Sequence, residues 1–274
     1  MGITGIVLAG GKSIRLGFDK TLLKIGNIPL FVDTAIKLSF FCSEILISSS
    51  QENFVTISGE LKKFKKYLKE YNLEHIKIPH IKIIIDLQYS EEKKLQNAGP
   101  LKGIYSALLE SGNYYSFVCA SDMPFLSFNM IETLIKYSET SEIKKDIVVL
   151  KTKKGFEALS AIYSRRCVKI IEENLNEGVF KVSDIFPYHN TLVLGEEIIK
   201  KHKIDELNFF NVNTIKDYAF LQNKYNAQKE SFPQYWKKTF FRDQAWQKVV
   251  LSTWLVNQFL PVDGMKKKEK VPNI

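Results

Sequence analysis

Residues Gly5–Lys20 read "GIVLAGGKSIRLGFDK". The apolar run from Ile3 to Leu8 closes on Gly10-Gly11, which is the length and punctuation of a buried strand. A glycine pair lets backbone N–H groups approach a ligand closely, and a row of such groups favours an anion. Arg15 and Lys20 add fixed positive charge to the same loop, so the loop suits a triphosphate. Its spacing excludes the two commonest phosphate loops. A Walker A loop needs Lys-Ser/Thr directly after its second glycine, but Gly17 is followed by Phe18-Asp19. The G-x-G-x-x-G dinucleotide fingerprint is absent as well.

Working outward, strands alternate with helices. "TLLKIGNIPLF" holds a Gly26-Asn27 turn between two short apolar pieces and predicts a small hairpin. "LFVDTAIKLSFF" has helical spacing, and "EILISSS" (44–50) reads as a second strand. The lysine-rich stretch 59–82 places Leu61, Phe64, Leu68 and Tyr71 at helical spacing, which predicts one amphipathic surface helix with a basic outer face. "KIIID" is a third strand, ending in Asp86, and "YSFVCASDMPF" a fourth, ending in Asp122. Helices are predicted at Gly99–Gly112, after a turn, at 127–138, at "RRCVKIIEENLNEG" closed by Gly178, and at 215–224. "DIVVLKT", "ALSAIYS", "TLVLG" and "NFFNVNT" complete the predicted strands. Such alternation implies an α/β sandwich with a mainly parallel sheet, whose ligand sits outside the carboxyl ends of the strands.

Composition narrows the class. With 45% hydrophobic residues in 274, the chain can build a full core. No apolar run approaches the roughly 18 residues that a membrane-spanning helix needs, and the N-terminus has no basic leader. Cys42, Cys119 and Cys167 are scattered without a C-x-x-C pair, which fits a reducing cytosol rather than a disulfide framework or zinc site. The four histidines show no ligand spacing. Net charge is +9, and residues 225–274 carry nine Lys/Arg against four Asp/Glu. All three tryptophans (Trp236, Trp246, Trp254) lie there too. The expected organisation is a main domain over 1–224 and an aromatic, basic extension over 225–274. The basic excess reads as a solvated face, with no nucleic-acid partner expected.

The two strand-terminal carboxylates carry chemistry. Asp122, beside a phosphate loop, is placed to hold Mg²⁺; the plainer alternative is a cap for the helix near Ser127. Asp86 is placed to accept hydrogen bonds from a base or ribose. "GPLKGI" brings Gly99 and Gly103 to where backbone passes close to something, with Pro100 near the first helical turn.

Together these segments resemble a family, the molybdenum cofactor guanylyltransferases. "LAGGKSIRLGFDK" is similar to its L-A-G-G-x-S-x-R-x-G-x-D-K signature. "GPLKGI", "ASDMPF" and "NVNTIKDYAFL" resemble its G-P-L-x-G-I, C-D-M-P and N-V-N-T-x-x-D motifs, in the family's order from about Ile3 to Leu221. Ser121 stands where the family has Cys, and Glu157-Ala158 where it has His-Pro.

The resemblance implies a Rossmann-like three-layer α/β/α nucleotidyltransferase. It implies transfer of GMP from Mg-GTP to the terminal phosphate of the molybdopterin cofactor, with release of pyrophosphate. Leu8, Ala9, Gly10, Gly11, Asp86, Gly99, Pro100 and Leu101 would bind the nucleotide. Arg15, Lys20 and Asp122 would act on the phosphates, with Mg²⁺ on Asp122, and Asn211 and Asn213 would lie on the acceptor side. Partners would include proteins that deliver the cofactor or mature molybdoenzymes. Two alternatives stay open: the same chemistry on another base or acceptor (a cytidylyltransferase or a sugar-phosphate nucleotidyltransferase), and a non-catalytic nucleotide-binding module.

Overall fold

A computed structural model describes residues 2–10, 20–71, 73–87, 99–140 and 144–227. Its main sheet has seven strands. In chain order they are β1 (Ile3–Leu8), β4 (Glu44–Ser49), β5 (His80–Ile85), β6 (Tyr115–Ala120), β7 (Ile147–Thr152), β8 (Gly155–Ser164) and β9 (Thr191–Leu194). The spatial order is β5-β4-β1-β6-β8-β7-β9. Every neighbouring pair is parallel except those made by β8, which runs against both β6 and β7. Strand β1 pairs with β4 on one side and β6 on the other, so the chain leaves it in two directions and a crevice opens above its carboxyl end. All six residues of β1 are buried, as are all six of β6, which is why both read as continuous apolar runs.

Helices cover both faces, as the three-layer expectation requires. One core joins the sheet to α1 (Leu30–Leu38), α2 (Phe54–Leu61), α3 (Phe64–Glu70), α5 (Phe128–Glu139) and α7 (Glu196–Lys201). The other joins it to α4 (Gly99–Glu110) and α6 (Cys167–Glu177). Gly178, at φ 79°, closes α6 as its spacing predicts. The predicted hairpin is present as β2 (Lys24–Ile25) and β3 (Ile28–Pro29), with Gly26 at φ 57°. A third, smaller core gathers Leu23 and Ile25 of this hairpin, Leu30, Phe125, Val212 and Leu221. Leu221 comes from the helix α8 (Ile215–Ala227). Through Phe125 and Val212 this core joins the hairpin to the "ASDMPF" and "NVNTIKDYAFL" segments.

Two expectations are corrected. The lysine-rich stretch is not one helix over 59–82. Helices α2 and α3 break at Lys62-Lys63, and β5 begins at His80. The break lets Ile57 and the trio Phe64, Tyr67 and Leu68 turn toward the same core. "NFFNVNT" is not a strand. A 3-10 turn over Glu206–Phe209 leads into an extended segment stopped by a capping box, in which the Thr214 amide donates to Asp217 Oδ2 (2.8 Å) and the Asp217 amide to Thr214 Oγ1 (3.2 Å). Of the proposed extension, residues from 228 on lie outside the described residues.

Candidate active site

The crevice is built from the carboxyl ends of β1, β4, β5 and β6. Strand β1 delivers Leu8, Ala9 and Gly10 to it, and the Ala9 amide continues the ladder by donating to Ser48 O at 2.8 Å. Leu8 and Ala9 are buried, so their side chains shape the floor. Gly11, Arg15 and the side chain of Lys20 lie outside the described residues, as does the stretch 88–98.

Asp86 follows β5 directly, and its amide donates to Ser49 O at 2.8 Å. Ser48 Oγ donates to Asp86 Oδ1 at 2.5 Å. A Cβ on Gly10 would stand 3.0 Å from Asp86 Oδ2, and one on Gly103 only 2.6 Å from Ser48 Oγ. The carboxylate is thus wedged between the first and second motifs, and each glycine leaves the space it occupies. Burial pushes the Asp86 carboxyl above its ordinary pKa; the Ser48 hydrogen bond and the Lys102 ammonium oppose that shift.

Gly99 has a different reason to be glycine. Its φ is 53°, with open space around it, so it turns the chain into α4. Pro100 is exposed at the helix start, and Leu101 is fully buried among Leu8, Ile84 and Ile104. Any contact of Leu101 with a ligand is therefore through its backbone. Replacing Gly103 by alanine tests the wedge. In an ordinary helix interior that change stabilises by about 1 kcal/mol. Here the new methyl would displace Ser48 from Asp86, so we expect a lower melting temperature and about tenfold weaker nucleotide binding, read by thermal melts and GTP titration.

On the other side of β1, the turn Ser121–Pro124 carries Asp122, which is buried. The Ser121 amide donates to Leu8 O at 3.1 Å, and the Val212 amide to Asp122 O at 2.9 Å. Ser127 itself caps α5, so the plainer role considered for Asp122 is filled by another residue. Val212 is fully buried, while Asn211 is half-buried and Asn213 exposed on either side of it. Asn211 Nδ2 donates to Phe209 O at 3.1 Å. The fourth motif is therefore docked on the third, and the two asparagines flank the Asp122 turn.

Ser48 and Val212 did not stand out in the sequence. The signal for Ser48 was a polar end on an apolar strand; for Val212 there was none beyond its motif.

Among the described residues no three His, Cys, Asp or Glu side chains gather into a cation cage. A buried carboxylate on a turn tied to the end of β1 fits Mg²⁺ all the same, because that ion is commonly held by one or two carboxylates together with substrate phosphates. The described cysteines are free and buried, and no described helix is long and apolar enough to cross a membrane.

Residues 5–186 match the family described as "MobA-like NTP transferase domain". A "Probable molybdenum cofactor guanylyltransferase" of Clostridium perfringens (strain 13 / Type A) is 31% identical over 222 residues, 80% of this chain and 95% of that one. A protein of the same name from Natranaerobius thermophilus is 28% identical over 218 residues, 78% of this chain and 92% of its own length. Among solved structures, molybdopterin-guanine dinucleotide biosynthesis protein A from Archaeoglobus fulgidus superposes with a TM-score of 0.60 at 23% identity, over 82% of this chain and 100% of that one. The chain belongs to the MobA-like NTP transferase domain family and is a nucleotidyltransferase.

Proposed function

We propose that the protein transfers GMP from Mg-GTP to the terminal phosphate of the molybdopterin cofactor, releasing pyrophosphate. The observation that carries this reading is the contact of Gly10 with Asp86 at the end of β1, with the Asp122 turn tied to Leu8 on one side and to Val212, between Asn211 and Asn213, on the other. The names of the relatives support the same reaction.

Asp122 would hold Mg²⁺; when bound, the ion neutralises charge on the nucleotide phosphates. The Gly10 and Gly11 amides, Arg15 and Lys20 bind the triphosphate and stabilise the leaving pyrophosphate. Asp86 accepts hydrogen bonds from the base. Asn211 and Asn213 orient the acceptor so that its phosphate oxygen faces the α-phosphorus in line. That oxygen is already ionised at neutral pH, so the chain needs no strong general base. A cytosolic enzyme that exchanges its cofactor with delivery or maturation proteins fits this chemistry.

Incubation with GTP, Mg²⁺ and molybdopterin should release pyrophosphate, and titration should rank GTP above CTP, ATP and UTP. Preferred binding of CTP would move the reading to a cytidylyltransferase. Nucleotide binding without pyrophosphate release would move it to a non-catalytic module.

A further inference from the structure

Helix α1 is buried along its whole length, including two charged residues. Lys37 is 5% exposed and Asp33 0%. Lys37 Nζ lies 2.8 Å from Asp33 Oδ2, one turn back on the helix. The same ammonium donates to the carbonyl of Pro124 at 2.6 Å. Asp33 Oδ1 accepts from the Tyr71 hydroxyl at 3.0 Å, and Tyr71 directly follows α3. The lysine-rich stretch 59–82, an insert between β4 and β5, thus closes over α1 and supplies the first member of a buried chain: Tyr71, Asp33, Lys37, Pro124.

A buried ion pair is weak evidence for stability, because apolar residues of similar volume often do as well. Stability is therefore a poor reason for an ammonium at this position. An ammonium can, however, fix a backbone carbonyl, and this one belongs to the turn that carries Asp122. That turn is held at Ser121 by Leu8 O, at Asp122 by the Val212 amide and at Pro124 by Lys37. The first two ties are backbone to backbone. The third is a charged side chain held in place from the insert.

We propose that Lys37 is a positioning residue for the Asp122 turn, and that Asp33 and Tyr71 hold Lys37 in register so that the insert supports the metal-holding carboxylate. This rests on the reading that Asp122 holds the metal of a metal–nucleotide complex.

The test measures Mn²⁺ binding in the presence of GTP by electron paramagnetic resonance, alongside thermal melts, on the full chain. Lys37→Met should weaken Mn²⁺ binding about tenfold, the scale found when groups supporting a metal ligand are removed. GTP affinity at saturating metal should be unchanged. The double variant Asp33→Asn/Lys37→Met leaves no unpaired buried carboxylate, so it should regain the melting temperature lost in Lys37→Met. It should keep the Mn²⁺ defect, because the Pro124 carbonyl still lacks its donor. If Mn²⁺ affinity returns together with the melting temperature, the network serves stability alone and the proposal is overturned. Should Lys37→Met fail to fold, Tyr71→Phe keeps the ion pair and should weaken Mn²⁺ binding about threefold; wild-type affinity there overturns the link to the insert. Wild-type protein that binds no Mn²⁺ beside GTP would overturn the metal reading itself, which sets that failure apart from failure of the Lys37 proposal.

Discussion

Replacing Asp122 by asparagine is expected to lower guanylyl transfer about a thousandfold, equivalent to roughly 4 kcal/mol of transition-state stabilisation. The amide is nearly isosteric with the carboxylate, and the two backbone bonds that hold the turn do not involve the changed side chain. Thermal melts of the variant separate loss of transfer from loss of the fold. The loss should fall on kcat, since the interaction proposed for Asp122 is with charge on the reacting phosphates. Pyrophosphate release at saturating GTP and Mg²⁺ measures it directly. Near-normal turnover by the purified variant would take Asp122 out of the metal site.

Asp86→Asn should produce two effects of opposite sign. GTP affinity should fall on the order of a hundredfold, because the acceptor proposed for the base loses its charge. Stability at neutral pH should rise, because the fold penalises the ionised carboxyl. The sign follows from the raised pKa of Asp86. The folded state holds that proton more tightly than the unfolded state does. Stability is therefore lost as pH rises from the unfolded value to the folded one, and the full penalty is present above both. Asparagine does not titrate, so its advantage in melting temperature should shrink as pH falls through the raised pKa of the wild-type group. Melts of both proteins from neutral to acid pH check this. A gap that widens toward acid would mean that burial does not raise the Asp86 pKa. GTP binding to the wild type should weaken over the same acid range.

Much of the fold was legible because its strands are short, apolar and punctuated. Strands β1, β4, β5 and β6 lie where the sequence put them, and so do the Gly26 hairpin and the Gly178 helix stop. Each is a local signal. What was not legible depends on contacts between distant segments. Nothing local announces that β8 runs against its neighbours, or that Val212 bonds to Asp122 O. The insert shows how periodicity misleads. Leu61, Phe64, Leu68 and Tyr71 keep helical spacing across a break, because both helices face the same core. In "NFFNVNT" a strand-like composition hid a local signal that was present, the Thr214-x-x-Asp217 cap. Within the candidate site, the positions of Asp86 and Asp122 at the ends of β5 and β6 were legible. The packing that makes them necessary, such as Gly103 against Ser48 and Asp86, was not.

The bond from the Val212 amide to the Asp122 carbonyl also bears on the order of events during synthesis. Chains emerge from the ribosome N-terminus first and tend to fold in that order. The strands that lead to Gly10, Asp86 and Asp122 are all made before the segment that pins the Asp122 turn. Contacts between such distant parts of a chain form late, after the loops between them have closed. On the proposed reading, a chain that ends before Val212 carries the residues of the nucleotide side but lacks the bond that pins the Asp122 turn, and so should not consume GTP.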